Sequence, residues 1–88
     1  MAAIRKLTGN FTEAGIDDEI ILMRLDNGEL LSLTESAAAI WRLIDGKRDR
    51  ATVVAALEAE YSAGNREIDR DVGDLLSQLM GAGLIAEA

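Results

Sequence analysis

The chain lacks cysteine, histidine and proline altogether, and it has a single tryptophan, a single tyrosine and a single phenylalanine. The absence of cysteine and histidine excludes disulfide scaffolds, zinc sites built on those ligands, and any Cys–His or Ser–His catalytic pair. Basic residues are also scarce, since nine Lys and Arg stand against sixteen Asp and Glu, a net charge of −7. Nucleic-acid binders usually carry the opposite balance, so the charge argues against that class.

Long apolar runs are missing as well. The N-terminal segment lacks the apolar stretch of roughly 7–15 residues that a secretory signal needs, and no run approaches the roughly 18 apolar residues of a membrane span. We therefore expect a cytoplasmic protein. The 88 residues are 49% hydrophobic and 28% charged, which is typical of one globular domain over residues 1–88.

The first third of the chain favours β-strands. Ile4–Thr8, Glu19–Leu25 and Leu30–Leu33 are short apolar or alternating runs, whereas Gly9–Asp17 has the composition of a loop. The pair Asn27-Gly28 lies between two apolar runs and predicts a hairpin with a type I′ turn, in which both central residues have positive φ.

The rest of the chain favours three helices. Thr34 or Ser36 is expected to cap the first, Asp49 the second and, after a loop over Ser62–Glu67, Asp69 the third. Glycines near the predicted ends stop the first and third helices. The expected apolar faces are Ala37, Ile40, Trp41 and Ile44, then Val53, Val54, Leu57 and Tyr61, then Val72, Leu75, Leu76 and Leu79, with Leu84-Ile85 as an apolar tail.

This order of elements defines the expected fold class. Strands followed by helices predict an α+β domain in which a small three-stranded antiparallel sheet packs against three helices. The last two helices are joined by a short polar loop, as in a helix-turn-helix. The sequence therefore predicts a winged helix-turn-helix-like architecture.

The strand Leu30–Leu33 is the clearest candidate binding element. Natural edge strands are usually protected by Lys, Pro or bulges, and Leu-Leu-Ser-Leu has none of these. Such an edge can accept a peptide as an additional strand. Coverage of the same edge by the N-terminal strand or by a dimer partner is the equally weighted alternative.

Acidic residues are the other candidate feature. Asp17-Asp18-Glu19 is interpreted as a solvated loop that enters a strand. Asp69, Asp71 and Asp74 follow no calcium-loop pattern, so they are interpreted as stabilising a helix start, or as a negative rim that attracts a basic partner. No metal ligands, no cofactor and no catalytic residues are predicted. Gly73 within the third helix is interpreted as tolerated weakness rather than as a close approach of another backbone.

Several segments taken in order resemble one family. Asp26–Leu33 and Ser36–Gly46 resemble the hairpin and the first helix of PqqD-like proteins, and Asp71-Val72 together with Gly83-Leu84-Ile85 resembles their last helix and its ending. The similarity runs from about Asp18 to Ile85. One difference is Thr34, where relatives often have Asn.

The resemblance implies a function. PqqD-like proteins are winged-helix-like recognition elements for ribosomally made, post-translationally modified peptides (RiPPs), and they act as peptide chaperones. They bind the leader part of a precursor peptide as an added strand and present the rest to a modifying enzyme, such as a radical SAM enzyme or a leader peptidase. The peptide-binding residues carried over by resemblance are Leu30, Leu31, Ser32 and Leu33 on the strand, and Asp71, Asp74, Leu75 and Gln78 on the third helix.

Two alternative functions remain on the sequence alone. One is a winged-helix DNA-binding regulator, which the helices permit and the negative charge disfavours. The other is a dimerisation or structural module that uses the same edge strand, and in that case the partner would be a second copy of the chain in a homodimer. An enzyme is not expected, because every acid falls in a predicted loop, cap or polar face. The product of the pathway, whether PQQ-like, lasso peptide or another RiPP, is not specified by the sequence.

Overall fold

The computed structural model describes residues 3–60 and 65–87. Within these ranges no helix has both the length and the apolar character needed to cross a membrane. A short 3-10 turn, Thr8–Asn10, follows the first strand. The elements in chain order are β1 Ile4–Lys6, β2 Phe11–Ile16, β3 Glu19–Arg24, β4 Leu30–Leu33, α1 Glu35–Leu43, α2 Arg50–Glu60, α3 Asn65–Gly81 and β5 Ile85–Glu87.

Strands β2, β3 and β4 form a three-stranded antiparallel sheet in that spatial order. The expected α+β class is therefore confirmed, but the identity of the first strand of this sheet was wrong. The predicted strand Ile4–Thr8 contributes only β1, which pairs with β5 in a separate two-stranded sheet. The predicted loop Gly9–Asp17 contains β2, which is exposed at every residue except Phe11 and so shows no apolar alternation.

The hairpin between β3 and β4 forms without the predicted type I′ turn. Gly28 has a φ of +72°, but Asn27 is not among the residues with positive φ. Instead, Oδ1 of Asn27 accepts a hydrogen bond of 2.9 Å from the N–H of Glu29. This side-chain bond takes the place of a backbone turn, and the N–H of Gly28 closes the loop onto the carbonyl of Arg24 at 2.9 Å.

The first two helices begin close to where the sequence predicts. Thr34 occupies the N-cap position of α1 without a side-chain cap bond, and it is the only residue between β4 and α1. After the end of α1, Gly46 has a φ of +83°, a left-handed conformation that favours glycine. Asp49 caps α2, because its Oδ1 accepts the N–H of Thr52 at 2.9 Å and its hydroxyl at 2.8 Å. These two bonds lower the pKa of the Asp49 carboxyl.

The third helix begins earlier than predicted. Residues 65–67 already belong to α3, so the predicted loop Ser62–Glu67 was wrong there, while residues 61–64, including Tyr61, lie outside the described residues. Asp69 is not the N-cap; its Oδ1 and its carbonyl each accept a bond of 3.2 Å from Nη2 of Arg50 on α2. A Cβ at Gly73 would lie 2.7 Å from the same nitrogen. Gly73 thus leaves space for a guanidinium that joins α2 to α3.

The core lies between the helices and one face of the sheet. At its centre Trp41 is fully buried, with the Phe11 ring edge-on at 5.3 Å and Nζ of Lys6 at 4.4 Å from its ring centre. Burial lowers the pKa of Lys6. The buried core residues are Ile4, Phe11, Ile20, Leu22, Leu33, Ala38, Ile40, Trp41, Ile44, Val53, Val54, Leu57, Ile68, Val72, Leu76, Leu79, Leu84 and Ile85.

Candidate functional site

Strand β4 is an edge of the three-stranded sheet. In the described part of the chain it pairs only with β3, because β1 is taken up by β5. The N-terminal strand therefore does not cover it, which removes one of the two alternatives left by the sequence. This edge therefore has backbone groups available for a further strand.

The register shows which backbone groups of β4 point away from β3. The N–H of Arg24 donates to the carbonyl of Glu29 at 2.8 Å, and hydrogen-bonded pairs alternate along an antiparallel ladder. The next bonded pairs are therefore Leu22 with Leu31 and Ile20 with Leu33. It follows that the N–H and C=O groups of Leu30 and Ser32 point outward; we call these four groups the β4 edge.

The side chains of the same strand divide between two faces of the sheet. Leu33 is 4% exposed and belongs to the core, so its side chain is not available to a bound peptide. Leu31 is half-buried on the same inner face. Leu30 and Ser32 are exposed on the outer face, where the hydroxyl of Ser32 donates to Oε2 of Glu19.

A cleft of about 310 Å³ lies between the first part of α1 and one face of α3. We call it the α1–α3 cleft. All four α3 residues singled out from the sequence line it, together with three residues of α1. The lining residues are Ser36, Ala37, Ile40, Asp71, Asp74, Leu75 and Gln78.

The contribution of α1 to this cleft was missed in the sequence analysis. Ser36, Ala37 and Ile40 had been assigned only to a cap and an apolar face. The signal was present in the run of three alanines from Ala37 to Ala39, because small side chains near a helix start leave space beside it. Leu75, half-buried, forms part of both the cleft and the packing around the core.

The cleft is apolar inside and acidic outside. Ile40 is buried and Leu75 half-buried, whereas Asp71, Asp74 and Gln78 are exposed. Asp69, the third acid of this stretch, bonds to Arg50 and does not line the cleft. A cleft of this kind can hold an apolar side chain and place a basic or hydrogen-bonding group at its rim.

A second, larger cleft of about 490 Å³ lies elsewhere, lined in part by Asn10, Arg24 and Leu25 and by the glycines at the end of α3. Its only cation, Arg24, already forms ion pairs with Asp26 at 2.9 Å and Glu29 at 3.6 Å. It therefore lacks a free charge to bind a ligand. Among residues 3–60 and 65–87, no three potential metal ligands converge.

Comparison with known families identifies the fold. The sequence model described as coenzyme PQQ synthesis protein D (PqqD) matches residues 19–85. The chain belongs to the PqqD family. The resemblance found in the sequence is thereby confirmed. The matched residues 19–85 include both the β4 edge and the α1–α3 cleft.

Two curated relatives from Rhodopseudomonas palustris are described as PqqA binding proteins. They come from strains TIE-1 and ATCC BAA-98 / CGA009, and each is 41% identical over 59 residues. The aligned region covers 67% of this chain and 58% of each relative. The chain thus spans about 58% of the length of the curated relatives it matches.

Two solved structures share the fold. One is TbiB1 in complex with the TbiA(β) leader peptide, with a TM-score of 0.81, 31% identity, and coverage of 91% of this chain and 93% of that chain. The other is a lasso peptide synthetase B1 complexed with its leader peptide, with a TM-score of 0.83, 25% identity, and coverage of 97% and 99%. Both similar structures are therefore described as holding a leader peptide.

Proposed function

We propose that this protein binds the leader segment of a ribosomally made precursor peptide. The leader adds as a strand to the β4 edge and directs alternate side chains into the α1–α3 cleft. The observation that carries the proposal is an edge strand, β4, that leads through a single residue into the helix that lines the α1–α3 cleft. The PqqA-binding relatives and the two leader-bound neighbours support it.

The β4 edge supplies the affinity that does not depend on leader sequence. Leu30 and Ser32 each offer one outward donor and one outward acceptor, and each net hydrogen bond is worth about 0.5–1.5 kcal/mol. Ordering a flexible leader offsets part of this gain. These bonds alone fall short of the roughly 8 kcal/mol of a micromolar complex, so we expect contacts in the cleft to supply the rest and the dissociation constant to be about one micromolar or somewhat tighter.

The α1–α3 cleft supplies the selectivity. In a strand added to β4, every second side chain points to the inner face of the sheet, where the helices lie. Ala37, Ile40 and Leu75 favour an apolar side chain there, and Asp71 with Asp74 favours Lys or Arg beside it. The leader residues recognised by the cleft are thus expected at intervals of two.

The chemistry of the bound precursor belongs to a separate enzyme. The site offers backbone groups, an apolar floor and exposed carboxylates, but no paired nucleophile and base. We propose that the protein holds the leader while a modifying enzyme, of the radical SAM or leader-peptidase kind, acts on the rest of the precursor in the cytoplasm. A DNA-binding role is disfavoured by Asp69, Asp71 and Asp74 on α3.

The test is a titration of the protein with two fluorescent peptides, PqqA and the TbiA(β) leader. We expect saturable binding of at least one, weakened about tenfold or more by Ser32→Pro, because the proline removes an outward N–H and leaves a leader carbonyl unpaired. Ser32 is preferable to Leu31 for this change, since the N–H of Leu31 bonds to β3.

The matched control is Ser32→Ala, which keeps the backbone N–H and removes only the hydroxyl. It should bind the leader within about twofold of the wild type, as expected when backbone rather than side chain carries the contact. Circular dichroism establishes that both variants fold. Strand addition at the β4 edge would be contradicted if neither peptide binds, or if folded Ser32→Pro binds a peptide as tightly as the wild type does.

A further inference from the structure

The outer face of the three-stranded sheet is partly apolar and, among the described residues, largely exposed; Thr12, Glu19 and Ser32 are its polar members. The inner face carries Ile20, Leu22 and Leu33 into the core, so alternate residues point away from the helices. Pairing across the strands aligns Thr12 with Met23 and Leu30, and Ala14 with Ile21 and Ser32. Leu30 is 65% exposed, Ile16 56% and Met23 37%.

This face is unlike the rest of the described surface. The large hydrophobic residues that are exposed within residues 3–60 and 65–87 are Ile16, Met23, Leu25 and Leu30. All of them lie on this sheet or on the loop that joins β3 to β4. Single exposed apolar residues are ordinary, but Met23 and Leu30 are direct cross-strand neighbours, and adjacent exposed apolar side chains indicate a contact surface.

The size of the face argues against a stable dimer as its occupant. Three strands of up to six residues span about 14 Å by 20 Å, or roughly 300 Å². A stable protein interface buries about 800 Å² on each partner. A second copy seated on this face would therefore lack most of the contact area that a lasting dimer needs.

The geometry of strand addition brings another occupant to the face. A leader strand on the β4 edge alternates like any strand, so the side chains that do not enter the α1–α3 cleft point outward. Residues directly opposite each other on one face have their Cβ atoms about 4.5–5.5 Å apart. The leader side chain opposite Leu30 must then lie against Leu30, with Met23 directly behind it.

We infer that the leader is recognised on both of its faces, and that its outward residue opposite Leu30 is apolar and packs on Leu30 and Met23. This inference rests on the proposed function and extends it from the cleft to the outer face. The substrate class is a leader strand with apolar residues on both of its faces, one set for the cleft and one for the outer face of the sheet. A one-sided amphipathic strand would bind less tightly.

Double-mutant cycles test the inference. The probe is the tightest binder among PqqA, the TbiA(β) leader and a displayed library of random peptides long enough to form a strand. Each probe residue is changed to alanine and titrated against the wild type, Leu30→Ala and Leu75→Ala. We expect one probe position to couple to Leu30 and another to Leu75, and the two position numbers to differ by an odd number, because successive side chains of a strand lie on opposite faces.

The single variants give a simpler readout of the same contact. Leu30→Glu should weaken the probe about fivefold to tenfold, whereas Ile16→Glu should leave its affinity within about twofold, because Ile16 lies on β2, at the far edge of the sheet. Both positions are exposed, so both variants should fold, as melting curves will establish. Leu30→Met, which keeps an apolar contact, should restore binding.

The outcomes separate this inference from the function on which it rests. If no peptide binds the wild type, or if Ser32→Pro binds as well as the wild type, the proposed function fails and the inference fails with it. If the leader binds at the β4 edge but no position couples to Leu30, only the inference is overturned. It is also overturned if sedimentation reveals a wild-type dimer that Leu30→Glu dissociates, because the occupant is then a second copy.

Discussion

The three-stranded sheet has two edges, and they differ in what they offer a partner. At the β4 edge, Leu30 and Ser32 point their backbone groups outward, and β4 itself contains no charged residue. On β2 the register leaves Phe11, Glu13 and Gly15 pointing outward, since their neighbours pair with β3. β2 is the longer strand, yet its exposed centre carries a carboxylate and a glycine.

Under the proposed function, a free backbone edge alone does not make a binding site. A charge on an edge strand discourages pairing, and Glu13 provides one at the centre of β2. The β4 edge has no such charge, and it leads through Thr34 into the helix that lines the α1–α3 cleft. Recognition is expected where backbone groups and a side-chain cleft lie together.

The largest expected effect compares proline at the two edges. Ser32→Pro and Glu13→Pro each remove one outward N–H from an edge strand, a position where proline is tolerated. The leader affinity should fall about tenfold or more for Ser32→Pro and stay within about twofold for Glu13→Pro. Fluorescence anisotropy measures both, and a loss of equal size at β2 would remove the distinction between the edges.

A smaller effect should follow from charge reversal at the cleft. Asp71→Lys should weaken a leader that carries Lys or Arg about threefold to tenfold and flatten the salt dependence of binding. Glu87→Lys makes the same change in net charge on β5, an exposed position outside the cleft. Titrations at low and high salt that give the same result for both variants would assign the effect to net charge alone.

Removing the charge from β2 should make the two edges more alike. Glu13→Val replaces the carboxylate with a side chain that favours strands, so the variant should self-associate weakly while the wild type sediments as a single species at the same concentration. Sedimentation velocity across a concentration series measures this. If the variant stays monomeric, some feature of β2 other than Glu13 prevents pairing.

The smallest effect concerns a residue at neither edge. Asp49→Ala removes the cap of α2 and should lower the melting temperature by a few degrees without changing leader affinity. Because hydrogen bonds from Thr52 hold the pKa of Asp49 below 3.8 in the folded protein, its stabilising contribution is complete above 3.8 and is lost as pH falls through the folded value. The melting temperatures of variant and wild type should therefore converge in acid.

The sequence predicts β4 and the α3 side of the site because each has a strong local pattern. Leu30 to Leu33 alternates beside an Asn-Gly pair, and the apolar spacing through Leu79 defines one face of a helix. The same reasoning does not detect β2. That strand is exposed on both faces apart from Phe11, and its pairing with β3 stabilises it more than its own composition does.

Long-range packing accounts for the other differences. β5 is a strand only because β1 lies beside it, and three residues are too few to show a period. Asp69 has the character of an N-cap, but the guanidinium of Arg50 binds it within α3. The same guanidinium explains Gly73, which had been interpreted as a weak point of the helix. None of these partners is adjacent in the sequence.

Only Thr34 lies between β4 and α1, which leaves little freedom between the strand that would pair with a leader and the helix that lines the cleft. A leader held by both has a defined register, so one of its residues becomes a fixed origin. Measured from there, an extended chain reaches at most about 3.3–3.6 Å per residue. The number of residues beyond the origin then determines which parts of the precursor can enter a docked enzyme, and leader length acts as a ruler.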